Sequence, residues 1–502
     1  MTILQLRQLY DAIPQAKAFE KLLGDQQVGS VFLKGLAASS APLFFASLAE
    51  RIDDTILFIL NDNEDAGYFY HDLTQMMGTD DVLFFPSSYK RAVKYAQRDA
   101  ANDILRTEVL TRLSAISAGK APRAYVITCP EALCQLVVSQ KALDECTLSI
   151  RVGQTMDVAE VRKTLRSFGF IEQDYVYEPG QFAMRGSIID VYSYSCEFPF
   201  RIDFFGDDVD TIRTFDIQSQ LSKEIRDHVE IVPEISRTPE KMPFGTFLPK
   251  GTFVAARDYV YVCDTVARVY DEGFTSQAVA VRLEGVTEQQ RDEIMRELQR
   301  ESQLISQTKF IDSMAPFRRI DFGKKPTGTP SGTISFNISS QPLFHKNFSL
   351  LTQTMLDYRQ RGYRIFVLSD SEKQIQRLRD IMAGDEEVEI GGPASAAPPK
   401  VEFEAVDKTL HEGFTDNDRK LCLFTDHQIF DRFHKYSLKS DTARAGKMAL
   451  TMKELQEMEP GDFIVHVDFG IGRFQGLVRI ATGDSYQEMI RIVYQRGDTV
   501  DL

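Results

Sequence analysis

The chain has 502 residues, enough for roughly three domains. Its 43% hydrophobic and 26% charged residues allow several ordinary cores and exclude a wholly disordered chain. With 73 acidic against 58 basic residues the formal charge is −15, so a nucleic-acid backbone would be held only by a local basic patch.

The opening MTILQLRQLYDAIPQAKAFEK mixes charges with apolar residues and lacks the basic start and apolar core of a signal peptide. The longest uncharged apolar run, Gly35 to Ala49, is shorter than the ~20 residues that span a bilayer. None of the six cysteines forms a CxxC pair or stands near a histidine at metal-ligand spacing. A soluble, cytoplasmic protein without structural zinc is expected.

Residues 1–127 read as an α/β domain. The runs Val31–Leu33, Ile56–Leu60 and Val82–Phe85 suit buried strands, and Ile104, Leu105, Val109, Leu110 and Leu113 recur at helical spacing. Such alternation points to a parallel sheet. Residues 128–215 change texture. A helix from Asp157 to Phe168 leads into strands Ser187–Val191 and Phe200–Phe204, which suits a small α+β insert. Residues 216–333 hold Pro-rich loops, a long polar helix from Thr287 to Ser306, and the turn-rich KKPTGTPSGT, a boundary signal. An α/β pattern returns over 334–430. There Leu350–Tyr358 reads as a helix and Ile365–Leu368 as a strand. A further helix carries Ile375, Leu378 and Ile381, and GGPASAAPP (391–399) reads as a loop. Residues 431–460 read as a basic linker with Arg432, Lys435, Lys439, Arg444 and Lys447. From 461 onward the chain is β-rich, and a strand reaching Leu502 suggests a piece of something longer.

The segment 31–48, VFLKGLAASSAPLFFASL, has the layout of a phosphate-binding loop: apolar strand, glycine, small residues, helix. A working G-x-x-x-x-G-K-[ST] loop needs its lysine for the phosphates and its hydroxyl for magnesium. Counting from Gly35, Ser40 stands at the second glycine, Ala41 at the lysine and Pro42 at the hydroxyl position. The cation and the metal-binding hydroxyl are gone, and Pro42 removes an N–H from the helix start. The residues leave open whether this loop lost a nucleotide or never had one. Either way, no ATP hydrolysis is expected here. The seven histidines are scattered and form no catalytic constellation, and the GDDVD run at 206–210 suits an acidic hairpin turn. No catalytic residue, metal or cofactor is expected in this chain.

Two segments suit partners. In GQFAMRGSIIDVYSYSCEFPFRIDFFGDDVDTIRTFD (180–216), Phe182, Arg185 and Gly186 precede Arg201, Asp203 and Phe205. Guanidinium forks at Arg185 and Arg201 suit carboxylates across an interface, with Phe182 as an aromatic anchor. The same residues equally allow local pairing of Arg201 with Asp203 or Asp190, with Phe182 in a core. The pattern resembles the signature shared by UvrB and the transcription-repair coupling factors. That resemblance implies a UvrA-binding domain with Phe182, Arg185, Arg201 and Asp203 at the interface.

The second segment, PGDFIVHVDFGIGRFQGL (460–477), is followed by a strand over Met489–Tyr494 in which Ile490 and Ile492 alternate with Arg491. It is similar to the Tudor-like RNA polymerase-interaction domain of the same family, shared with CarD-type regulators. The resemblance implies contact with the RNA polymerase β subunit through Ile490, Arg491 and Ile492, by strand addition. The residues alone also allow Ile490 and Ile492 to be the small barrel's own core.

The two resemblances stand in the order the family has them, behind a degenerate loop. The fold this implies is a degenerate phosphate-loop NTPase-like domain with an α+β insert, a second α/β domain, and a truncated Tudor-like β domain. The function it implies is transcription-coupled nucleotide-excision repair by the family's N-terminal half, recruiting UvrA and binding stalled RNA polymerase. ATP, magnesium and most double-stranded DNA contact would belong to a translocase beyond Leu502. Lys90, Arg91 and Lys94 suit either a DNA contact or a solvated helix face. A monomer is expected. The competing readings are a UvrB-like damage-recognition ATPase or helicase, which Ala41 and Pro42 oppose, and a CarD-like regulator, which leaves 180–216 unexplained.

Overall fold

The apolar runs at the start of the chain form strands β1 (Ser30–Lys34), β2 (Ile56–Ile59), β3 (Val82–Phe85) and β4 (Tyr125–Thr128). Their interiors are buried on both faces, as in a parallel sheet covered by helices. Helix α1 (Ile3–Asp11) precedes the sheet, and the crossovers run through α2 (Ser40–Ser47), α3 (Asn63–Met77) and α4 (Ala100–Ser117). Asp62 caps α3, its carboxylate accepting the N–H groups of Glu64 and Asp65. The computed structural model describes the chain other than residues 89–99, 218, 236–239, 274–286, 289–290, 292–303, 384–400, 433–435, 437, 439–459, 467–469, 483–484, 495–498 and 502. Two units emerge, Met1–Ala443 and Arg444–Leu502. Lys90, Arg91 and Lys94 lie outside the described residues.

An α+β insert follows. Strands β5 (Leu148–Arg151), β6 (Ile171–Glu172), β7 (Gln181–Arg185), β8 (Ile188–Val191), β9 (Phe200–Phe205), β10 (Asp208–Phe215), β11 (Ser222–Arg226) and β12 (His228–Ile231) accompany α5 (Val158–Ser167). Six of them make a sheet in the order β11-β10-β9-β8-β7-β6, and β5 pairs with β12. All neighbours are antiparallel except β6 and β7. Asp157 caps α5 through the N–H of Ala159 at 2.7 Å. Val161 and Leu165, one helical turn apart, pack with Phe182, Ile189, Val191, Phe200 and Ile202 into one core.

The chain then returns to the first sheet with β13 (Phe253–Ala256), β14 (Arg318–Asp321) and β15 (Gly332–Ser335). The completed sheet has seven strands, all parallel, in the order β15-β1-β14-β13-β2-β4-β3. Of the expected helix at Thr287–Ser306, residues 289–290 and 292–303 lie outside the described residues. Its end is corrected: Leu304 bridges Gln135, and the Ile305 N–H donates to the Cys134 carbonyl at 2.8 Å.

Residues 336–430 form a second layer. Strands β16 (Ile338–Ser340), β17 (Arg364–Leu368), β18 (Glu404–Val406), β19 (Phe414–Asp416) and β20 (Leu421–Thr425) lie in the order β16-β19-β20-β17-β18, beside α6 (Phe348–Gln360) and α7 (Glu372–Ala383). One face of this sheet packs on α6 and α7. Phe366, Leu368 and Leu423 on the other join the cluster that holds Leu43 and Phe44 of α2. Beyond it, Tyr436 packs on α3 at Gly67, where an added Cβ would lie 2.3 Å from the tyrosine ring. Arg432 pairs with Asp426 at 3.2 Å, while Lys435, Lys439, Arg444 and Lys447 and the 391–399 segment lie outside the described residues.

In the second unit, β21 (Phe463–His466), β22 (Gly470–Thr482), β23 (Ser485–Val493) and β24 (Thr499–Asp501) make an antiparallel sheet in chain order. The protein is therefore mixed α/β, with several sheets, one of them parallel. No helix among the described residues is long and apolar enough to cross a membrane.

Candidate functional site

At the phosphate-loop position, β1 ends at Lys34 and Gly35 takes φ +94°, with room for a Cβ denied by the Phe336 carbonyl oxygen 2.2 Å away. The Ser40 hydroxyl turns back onto its own loop, donating to the Ala37 carbonyl at 2.6 Å and accepting the Ala37 N–H at 3.0 Å. Ser39, Ser40 and Ala41 are at most 3% exposed, and Pro42 is buried with them. The Ser39 N–H, a donor facing out of the helix start, goes to the Glu412 carbonyl at 3.3 Å. The Ser39 hydroxyl accepts the Glu412 N–H at 2.9 Å. Asp72, fully buried behind it, accepts the His411 N–H at 2.7 Å, and burial pushes its carboxyl up to about 7.

The six-stranded sheet of the insert has one face in the α5 core; the other is covered at Ala183 and Tyr192 by Ile104 of α4 and Val176 and opens to the exposed Phe205. Alternation along β9 sends Phe200, Ile202 and Phe204 inward and Arg201, Asp203 and Phe205 outward. On the outer face Asp190, 2% exposed, holds two guanidinium groups. Arg201 meets it in a fork, Nε to Oδ1 at 2.7 Å and Nη2 to Oδ2 at 2.9 Å, and gives further bonds to Gln220. Its plane lies 4.3 Å from the Phe215 ring. Arg185 reaches the same carboxylate from β7 and lies 4.9 Å over Tyr175. One row away, Asp203 accepts from Thr211 at 2.9 Å and from Arg213. Phe205, at the end of this row, is 83% exposed, and Ile225, opposite Arg213 on β11, is 84% exposed.

Two expectations are corrected here. Phe182 is fully buried against the α5 side of the sheet, so it is a core residue and no surface anchor. It alternates with Ala183 on β7 and points away from Arg185's carboxylate partner, because successive side chains on a strand face opposite ways. Arg201 is mostly buried and saturated by Asp190 and Gln220, which makes it a structural brace. Asp203 pairs with Arg213 across the strands, where sequence reasoning offered it Arg201.

In the second unit, Ile492 is buried with Ile464 and Phe474, and Ile490 packs against that cluster. Gly472 passes so close that an added Cβ would lie 2.3 Å from Ile492. Ile492 therefore lies in this unit's own core, as the residues alone also allowed, with Ile490 half-buried beside it. Arg491 alternates to the opposite face, as do Phe463, Ile471 and Arg473, with Arg473 5.0 Å over the Phe463 ring. Phe463 and Ile471 are 70% and 68% exposed. Among the described residues, β24 pairs only with Arg491–Val493, leaving the Ser485–Ile490 part of β23 without a neighbour on that side.

Comparison with known proteins matches these two surfaces separately. Residues 148–236 match the family described as UvrB interaction domain, and residues 458–502 match the CarD-like/TRCF RID domain. The transcription-repair-coupling factor of Bacillus subtilis (strain 168) is 23% identical over 521 residues, covering 93% of this chain and 43% of that protein. Those of Staphylococcus aureus strains bovine RF122 / ET3-1 and USA300 are 22% and 21% identical, each over 93% of this chain and 44% of theirs. The chain is similar to transcription-repair-coupling factors over 93% of its length. It spans less than half the length of the curated relatives it matches.

The transcription-repair-coupling factor signature at 180–216 was legible as a motif, yet it did not separate inward from outward residues. Phe205 belongs to the motif read from the sequence but was not placed at the interface there, and the structure exposes it. The strict alternation of FRIDFF was the available signal: once Phe200 is buried, Phe204 follows it inward and Phe205 must face out.

Proposed function

We propose that this chain is a recruiting platform in transcription-coupled nucleotide-excision repair. It binds UvrA on the outer face of the six-stranded sheet and the RNA polymerase β subunit through the second unit. The observation that carries the first part is Phe205, 83% exposed on the same face of β9 as Arg201, whose guanidinium, like that of Arg185, the buried Asp190 holds in place. An exposed aromatic next to pre-oriented arginines is the usual composition of an interface hot spot. Arg185, 38% exposed, is the arginine positioned to meet a partner carboxylate, and Arg201 and Asp203 brace the surface around it. The first domain is read as a phosphate-loop NTPase-like fold without nucleotide chemistry, supported by the buried Ser40, Ala41 and Pro42. The second unit is read as a Tudor-like module. The polymerase would add a strand along Ser485–Ile490, with Arg491 on the adjoining outer face.

Calorimetric titration of UvrA into the chain tests this. Burying Phe205 is worth about 1.5–3 kcal/mol, so Phe205→Ala should weaken binding by roughly 10- to 150-fold. Arg185→Glu should weaken it further. Equal affinity for the wild type and both variants would move the site off this face. Absence of UvrA binding by the wild-type chain would sink the recruiting role.

A further inference from the structure

The N-terminal turn of α2 is the part of the first domain where a nucleotide's phosphates would be met in the reading above, and another stretch of the same chain already sits there. We propose that Thr409–Gly413 is a built-in plug for this turn, and that Asp72 is the key that holds it. The plug gives residues 336–430 a role: they close the vestigial loop and fix the second layer to the first.

Three groups on the first domain engage the plug, each through the backbone. The Ser39 N–H donates to the Glu412 carbonyl at 3.3 Å, the Ser39 hydroxyl accepts the Glu412 N–H at 2.9 Å, and Asp72 accepts the His411 N–H at 2.7 Å. Backbone recognition at two successive residues fixes the segment's position and direction without depending on its side chains. Those side chains add a second layer of restraint. The His411 ring stacks on Tyr68 of α3, with centroids 3.5 Å apart and planes 11° from parallel. From behind, the His427 ring nitrogen meets the His411 carbonyl at 2.6 Å, and Gln428 accepts the Gly413 N–H at 2.8 Å. Gly413 itself lies so close to β20 that an added Cβ would be 2.4 Å from the Leu423 carbonyl oxygen. A phosphate at the start of α2 would need the N–H of Ser39, and that group is committed. A main-chain carbonyl thus satisfies the Ser39 N–H that an anion at this turn would need.

The contact is not isolated. The N-terminal residues dock on the same layer, with Met1 N donating to the Ala405 carbonyl at 2.9 Å and Ile3 N to Asp407 at 2.7 Å. The Tyr10 hydroxyl donates to Asp416 at 3.0 Å.

Hydrogen exchange on the intact chain, read by mass spectrometry at single-amide resolution, tests the proposal. The amides of Ser39, His411 and Glu412 should be slowed at least 100-fold relative to exposed amides, and should open together. In Asp72→Ala the same three should speed up by tenfold or more, with the β1–β4 amides unchanged. Unslowed exchange at His411 and Glu412 in the wild type would overturn the plug, whether or not the variant folds. Unchanged exchange in a folded Asp72→Ala chain would overturn the role of Asp72. Neither result depends on UvrA binding, so the plug and the recruiting surface fail separately.

Discussion

Truncating Phe182 to alanine should loosen the insert, while the same truncation at Phe205 should leave the insert folded and remove UvrA. The magnitudes follow from exposure. Phe182 is 0% exposed and sits between α5 and the sheet. Removing a buried phenyl costs about 3–5 kcal/mol, because apolar contact is lost and the well-packed surroundings only partly collapse. Phe205 is 83% exposed, so only about one sixth of its surface is covered. At about 25 cal/mol per Å² of a side chain of roughly 200 Å², that is less than ~1 kcal/mol of stability. Exchange of the β7–β10 amides reports the folding side, and calorimetry with UvrA the binding side. The expected pattern is faster exchange in Phe182→Ala and normal exchange with weakened binding in Phe205→Ala. If Phe182→Ala kept wild-type exchange, or Phe205→Ala destabilised the sheet as much as Phe182→Ala, the assignment of faces would be wrong.

Asp190→Asn should destabilise the insert by about 3–5 kcal/mol in chemical denaturation, since it leaves the largely buried Arg201 without its counter-charge; an unchanged unfolding midpoint would contradict this. Gly35→Ala should cost more than ~2 kcal/mol, because it combines φ +94° with a 2.2 Å approach to the Phe336 carbonyl, and a wild-type melting temperature would refute it. Burial, with a smaller contribution from the nearby Glu412 charge, raises Asp72 to about 7, against the bonds from Ser39 and His411 that lower it. The folded chain therefore holds this proton more tightly than the unfolded chain. Its stabilising effect is complete below about pH 4 and fades as pH rises to about 7, a swing on the order of 4 kcal/mol. Asp72→Asn should remove that slope, so that the variant gains on the wild type between pH 4 and 8. Parallel stability–pH curves would rule this out.

Much of the fold was legible because local pattern and burial agree. Val82–Phe85 is a strand end to end, and Asp157 marks the start of α5 because its carboxylate caps the helix wherever the helix packs. The loop at Gly35 was readable as chemically emptied, since a missing lysine and a proline are facts of composition. Residues 216–333 were less readable. Their strands β13, β14 and β15 are short and pair with β1 and β2 across about two hundred to three hundred residues, a choice that no local window contains.

Residue type and order by themselves determined that a parallel α/β sheet would form, that the loop at Gly35 lacks the lysine and hydroxyl of a working phosphate loop, and that 180–216 and 460–494 resemble family signatures. Only the tertiary structure decided which side of each signature faces out. It moved Phe182 and Ile492 into cores, tied Arg201 to Asp190 on the opposite face of the sheet, and brought Glu412 onto Ser39. The physical reason is that alternation along a strand is a property of sequence, whereas the face that becomes the inside depends on what packs against it. That packing, here α5 on one sheet and residues 409–413 on one helix start, is assembled from segments far apart in the chain.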